Sequence, residues 1–211
     1  MYALGLALLV SVYGGSYVSA NEQVDELTDL ANSKDARYWQ ALGIMTQGSL
    51  CAVTGKSSKA MQMLTSGIAT HRSTGSTLWL PSHLSHLARA HAALDQFDDA
   101  RRCIDEAMTA AKITKERWCE ADTQQTAGDI ELMAPQPDAA KAEDHFERAL
   151  AIARTQQARS WELRAARSRL WGDQGRPQQA HDLLAPIYTW FTEGLDTLDL
   201  KEARALLNAL R

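Results

Sequence analysis

Four alanines recur along the chain at nearly even intervals: Ala60, Ala100, Ala142 and Ala180 are 40, 42 and 38 residues apart. Three of them follow a turn-forming residue by five positions, namely Gly55, Asp95 and Gly175. Three are followed seven positions later by a second small residue: Gly67, Ala107 and Ala149. Seven residues is close to two helical turns, so each small pair lies on one helix face. Antiparallel helices approach closely only where the residues at their crossing lack bulk. The spacing therefore predicts an internal repeat of helix pairs, in which no pair buries enough surface alone and stacking builds one elongated core.

Apolar periodicity fills in the helices. The first pair is expected over 1–14 and 17–31, with Val24, Leu27 and Leu30 on its packed side. The second is expected over 36–54 and 57–73 around the turn Thr54-Gly55-Lys56. The third runs over 77–94 and 97–113, where Phe97, Ala100, Ile104, Ala107 and Met108 recur at helical spacing. The fourth spans 115–133 and 138–156, separated by Ala134-Pro135-Gln136-Pro137, whose prolines stop one helix and permit the next. The fifth is expected over 158–173 and 177–191, with Gly175 in its turn and Pro177 in a first turn. A last helix over 199–210 has Thr197 or Asp199 as its cap. The expected fold is all-α: a single domain over 1–211, a right-handed solenoid of antiparallel helix pairs. It resembles the tetratricopeptide architecture, with units of about 40 residues rather than the usual 34 or so.

Composition narrows the function classes. Hydrophobic residues make up 45% of the 211 and charged residues 23%, ordinary for a folded domain. The net charge is -4, with acids and bases interleaved, which argues against a nucleic-acid surface. Arg101 with Arg102, and Arg164 with Arg167 and Arg169, read as solvated helix faces. Cys51, Cys103 and Cys119 are odd in number and far apart, which points to buried thiols in a reducing, cytoplasmic setting. Residues 1–20 are apolar but lack a basic start, since no Lys or Arg precedes Lys34. Ser11, Gly14 and Gly15 also break the run, so a buried scaffold helix is expected there rather than a leader or a membrane span.

Motifs for catalysis are not found. Thr54-Gly55-Lys56-Ser57 lacks the upstream glycine of a phosphate loop, because position 50 is Leu, and it follows a helix rather than a strand. His83, His86 and His91 are spaced three and five apart with no carboxylate in matching register, so they read as polar or partly exposed helix residues. His71, His145 and His181 stand alone. Glu147 has Arg148 and Arg154 nearby for local ion pairing. No metal ligand set and no cofactor are expected. Trp39, Trp79, Trp118 and Trp161 fall early in successive leading helices, 40, 39 and 43 residues apart, as a packing device or as an aromatic contact surface.

The C-terminal part carries a resemblance. Gln156-Gln157-Ala158-Arg159-Ser160-Trp161-Glu162-Leu163-Arg164-Ala165-Ala166, Leu183-Leu184-Ala185-Pro186-Ile187-Tyr188, Trp190-Phe191-Thr192-Glu193-Gly194 and Asp196-Thr197-Leu198-Asp199-Leu200-Lys201-Glu202-Ala203 are its phrases. They resemble the helical-repeat tails of bacterial predicted ATPases, many of which carry a class III adenylate or guanylate cyclase domain and a STAND- or AAA-like NTPase domain. The middle of the chain is similar more weakly, through Glu116-Arg117-Trp118 and the turn at Phe97. Arg167-Ser168-Arg169 departs from the pattern by a residue or two, enough to shorten that helix by part of a turn. No position matches the cyclase or NTPase catalytic residues.

The resemblance implies a sensing or regulatory tail that binds a protein, such as a cyclase, NTPase or regulator module, and is not itself an enzyme. Trp79, Trp118, Trp161 and Arg164 are the candidate contact residues, and Gly55, Ala60, Ala100, Ala107, Ala142, Ala149, Gly175 and Ala180 the structural ones. A small-molecule sensor of the same architecture and a structural remnant without a partner are the alternatives.

Overall fold

The computed structural model describes residues 1–172 and 177–210. All of its regular structure is helical. Eleven helices are found among the described residues: α1 (Tyr2–Tyr13), α2 (Tyr17–Ser33), α3 (Arg37–Val53), α4 (Ser57–Ser73), α5 (Leu80–Ala92), α6 (Phe97–Thr114), α7 (Glu120–Met133), α8 (Ala139–Thr155), α9 (Arg159–Gly172), α10 (Pro177–Thr189) and α11 (Leu198–Ala209). They divide into two compact units, Met1–Arg117 and Trp118–Arg211.

Within each unit the helices pack as repeated antiparallel pairs. In the first unit α1 packs on α2, α3 on α4 and α5 on α6. Each leading helix also touches the next leading helix, α1 to α3 and α3 to α5, while α2 and α4 pack on the pair that follows. The second unit repeats the scheme with α7–α8, α9–α10 and α11, where α7 meets α9 and α9 meets α11. The small positions do what their spacing requires: Ala60, Ala100, Ala107, Ala142, Ala149 and Ala180 are all buried. Between α3 and α4 the backbones come so close that a methyl carbon on Gly67 would lie 2.7 Å from Met45 Cγ and 3.1 Å from Met45 N.

Turn chemistry sets the period. In the first unit a residue with positive φ occurs every 20 residues: Gly15, Asp35, Gly55, Gly75, Asp95 and Lys115. At Gly15, Asp35, Gly55 and Asp95 the helix closes with a paired hydrogen bond. For Gly55, its own N–H donates to the Ala52 carbonyl and the Lys56 N–H to the Cys51 carbonyl, at 3.3 and 2.8 Å. This is the Schellman closure, which uses a left-handed residue to satisfy the last carbonyls. Gln157 closes α8 in the same way, with Gln157 N–H on Arg154 O and Ala158 N–H on Ala153 O. In the proline turn of the second unit, Asp138 caps α8 by accepting the Lys141 N–H at 2.9 Å. Gly175 lies outside the described residues.

Some expectations need correction. Trp79 and Trp118 precede their helices instead of lying inside them, since α5 starts at Leu80 and α7 at Glu120. Pro81 explains the first shift: it lacks an N–H and fits only the opening turn, so α5 cannot extend far back. α1 is only half buried; Leu8 and Val12 are in the core while Tyr2, Leu6 and Val10 are exposed. Arg164, Arg167 and Arg169 do not form a solvated face, because they pair with Asp199, with Asp199 and Glu202, and with Glu143. Glu147 lies 3.4 Å from Arg169, while Arg148 pairs with Asp144 and Arg154 with Glu162. Residues 167–169 lie within α9, which runs to Gly172.

Two substitutions test this account with opposite signs. Gly67→Ala is expected to lower the unfolding free energy by about 1–3 kcal/mol through overpacking. Gln157→Gly is expected to raise it by about 0.5–1 kcal/mol, as relief of left-handed strain exceeds the extra freedom of unfolded glycine. Urea titration followed by circular dichroism measures both.

Candidate functional site

Helix α5 is the anomaly of the first unit. Every residue from Leu80 to Ala88 is buried, yet Ser82, His83, Ser85 and His86 are polar. A helix with a polar face normally turns it to water. Here its histidines are 3% exposed, and His71 of α4 is 0% exposed. The expectation of polar or partly exposed histidines at 83 and 86 is therefore corrected: packing overrides their polarity.

The neighbours explain how these groups are held. Ser49 of α3 hydrogen-bonds His83 Nδ1 at 3.0 Å. Tyr13 of α1 meets the Ser82 hydroxyl at 2.5 Å and lays its ring 5.8 Å from that of His86. Tyr38 at the start of α3 tilts over His71 with ring centroids 5.3 Å apart. It also packs edge-on against Trp39, which receives the edge of Tyr2 in turn. Gly5 makes room for both indoles, since a methyl carbon there would lie 3.0 Å from the Trp39 ring and 3.2 Å from that of Trp79. Aromatic rings and imidazoles from α1, α3, α4 and α5 thus form one cluster.

Its electrostatics favour neutral groups. Burial pushes the His83 imidazole down to about 3, and the neighbouring His86 and His71 add to the shift. Burial lowers His71 as well, with Arg72 adding to it. The Tyr38 hydroxyl is raised by burial first and then by the Glu116 and Tyr2 charges. Both ring nitrogens of His71, and Nε2 of His83, have no hydrogen-bond partner among the described residues. A neutral imidazole holds one donor and one acceptor, so these nitrogens are hydrogen-bonding groups buried without a match. It is poorly suited to proton abstraction. The Ser49–His83 contact has the length of a nucleophile–base pair, but a base near 3 has little affinity for a serine proton at neutral pH. Among the described residues, no group of three or more His, Cys, Asp or Glu is placed to hold a metal ion.

Trp79 borders this cluster in a strained state. It is 6% exposed and adopts a left-handed conformation, φ 65 and ψ 4. A bulky residue there signals strain that its surroundings must enforce. Glu116 is the enforcing group: its carboxylate accepts the Trp79 N–H at 2.9 and 3.0 Å. Glu116 follows Lys115, the last left-handed residue of the 20-residue series.

The residues proposed from sequence are distributed differently. Trp79 is buried in the first unit, while Trp118, Trp161 and Arg164 belong to the second. Trp118 is half-buried just before α7. Arg164 lies over the Trp161 ring, 4.9 Å from its centroid, and binds Asp199 through Nε and a terminal nitrogen at 2.6 and 2.5 Å. It clamps α9 to α11. Nearby, buried Glu162 accepts from Arg154 and Arg159 at 2.8 and 2.6 Å. The most exposed tryptophan among those described is Trp190, at 58% with Arg159 beside its ring. The buried histidines were missed, though a signal existed: no charged residue stands between Arg72 and Arg89. Such a stretch can be buried whole, histidines included.

Acid should expose this arrangement. The His83 pKa is depressed on folding, so its contribution to stability is complete above the unfolded value of 6.5 and is lost as pH falls toward about 3. The expected loss is about 1.4 kcal/mol per pH unit for that one group. His83→Asn should flatten the fall between those limits relative to wild type in pH-dependent urea titrations. Glu116→Ala is expected to cost about 1–3 kcal/mol, the penalty of a buried donor left without an acceptor. It should also shift the tryptophan emission, whereas a rim carboxylate of no consequence would leave both unchanged.

Compared with protein-family models and with curated proteins, the chain matches none.

Proposed function

We propose that this chain is a non-catalytic binding module, a tetratricopeptide-like solenoid that recognises another protein and works as a regulatory tail for a cyclase or NTPase module. The observation that carries the reading is the state of its surface. Repeated helix pairs leave large apolar side chains uncovered, with Tyr2 62%, Val10 74%, Val18 78% and Trp190 58% exposed. Uncovered aliphatic and aromatic groups on a packed helical scaffold favour protein recognition. The chemistry of its reactive groups supports a non-catalytic role. Burial raises the Cys103 thiol to about 11, and His83 is held neutral. Cys51, Cys103 and Cys119 are all buried free thiols, in keeping with a reducing, cytoplasmic setting. No helix among the described residues is long and apolar enough to cross a membrane. The regulatory part of the proposal rests on the phrases between Gln156 and Ala203 that resemble NTPase and cyclase tails.

A second reading has its own observation. Both ring nitrogens of His71, beside the Tyr38 ring, and Nε2 of His83 are buried without a partner among the described residues, and a small neutral molecule with one donor and one acceptor would satisfy them.

Affinity capture with the intact chain from the source organism, followed by native mass spectrometry of the purified chain, separates the two. Capture of an NTPase or cyclase, weakened about tenfold or more by Val10→Ser with Trp190→Ser, is the expected result. Capture of no protein together with a small molecule bound at unit stoichiometry would replace it with the second reading.

A further inference from the structure

The first helix pair joins two features that are unusual side by side. α1 carries no charged residue and, apart from Ser11 and the tyrosines at its two ends, is apolar, a composition expected of a helix covered on most sides. It buries Gly5, Leu8 and Val12 but exposes Tyr2, Leu6 and Val10, which are spaced by four and form one stripe. α2, packed antiparallel beside it, has the opposite character. Its inner face is Ala20, Val24, Leu27 and Ala31. Its outer face holds Glu22, Asp25, Glu26 and Asp29 at helical spacing, all exposed. No Lys or Arg precedes Lys34, and none of these four acids has an ion pair among the described residues. Val18, 78% exposed, lies on that same outer side.

Resting on the reading of the chain as a protein-binding module, we infer that the α1–α2 face is a docking surface for a basic amphipathic helix. The apolar stripe of the partner lies along Tyr2, Leu6 and Val10, and its Lys or Arg side chains face the acids of α2. Recognition of this kind is read through anchors at i, i+3, i+4 and i+7. α1 is about 18 Å long, room for roughly three turns of such a helix. The charge decides between occupants. A second copy of this chain, set face to face, would bring the same four acids against their own counterparts with no base to answer them. A basic partner answers all of them, and its docking weakens with salt because the acids are exposed.

The probes are two peptides of about 14 residues, four helical turns, with leucines in an i, i+3, i+4, i+7 stripe. One carries lysine at the remaining positions and the other glutamate. The intact chain is expected to bind the Leu/Lys peptide at least about tenfold tighter than the Leu/Glu peptide, and the difference should shrink at high salt. Leu6→Ser with Val10→Ser should weaken Leu/Lys binding about tenfold. Glu22→Lys with Glu26→Lys should reverse the preference of the chain between the peptides. Circular dichroism confirms that each surface variant remains helical. Equal binding of the two peptides, a preference unchanged by charge reversal, or a dimer abolished by Val10→Ser would each overturn the inference. Should the intact chain still capture a protein partner with Leu6→Ser and Val10→Ser in place, the docking inference fails while the binding-module reading stands. Should it capture neither peptide nor protein, both fail.

Discussion

Close approach of antiparallel helices is the constraint on which the first unit depends. It needs crossings without bulk and helices that end on schedule. Gly67 against Met45 shows the first requirement, for a single methyl carbon would collide with both side chain and backbone. The left-handed residues at 15, 35, 55, 75, 95 and 115 show the second. A helix of 17 residues, as in α2 and α3, leaves three positions for the turn. A Schellman closure needs about that many, so the chain reverses without spare loop and the next helix lands beside the last.

That regularity also creates the polar cluster. A leading helix packed by its own partner and by the preceding leading helix has little surface left for water. On α5 this geometry buries side chains whose chemistry alone would keep them outside. Ser49 and Tyr13 supply hydrogen bonds to two of the polar groups, and burial keeps His83 neutral. Strain at Trp79 belongs to the same economy of space. Its indole fills the room above Gly5, and its backbone adopts a costly conformation because Glu116 fixes the amide.

The all-α architecture of repeated antiparallel helix pairs was legible in the sequence because both signals are local. Alanine at 60, 100, 142 and 180 fixes the crossings, and Gly55 and Asp95 mark turns. The period of 20 was less visible, since Asp35 and Lys115 hold left-handed positions without the signature of glycine. Helix starts at α5 and α7 were displaced for a similar reason: Trp79 and Trp118 look like helix residues, and only Pro81 hints at the true boundary. The site was legible only in part. Arg164 looked like a contact residue, yet its partner Asp199 is 35 positions away, and no local pattern links them. The histidines looked solvent-facing because polarity was read one helix at a time. Their burial follows from neighbours on α1, α3 and α4, which sequence spacing does not bring together.

The central claim is that left-handed closures at a fixed interval set the helix-pair geometry of the first unit. Backbone chemical shifts and HN–Hα couplings of the isotopically labelled chain test it residue by residue. Positive φ at Asp35, Asp95 and Lys115, each flanked by helical shifts on both sides, is the predicted result. Helical shifts running unbroken through any of those positions, or extended values in place of left-handed ones, would contradict it.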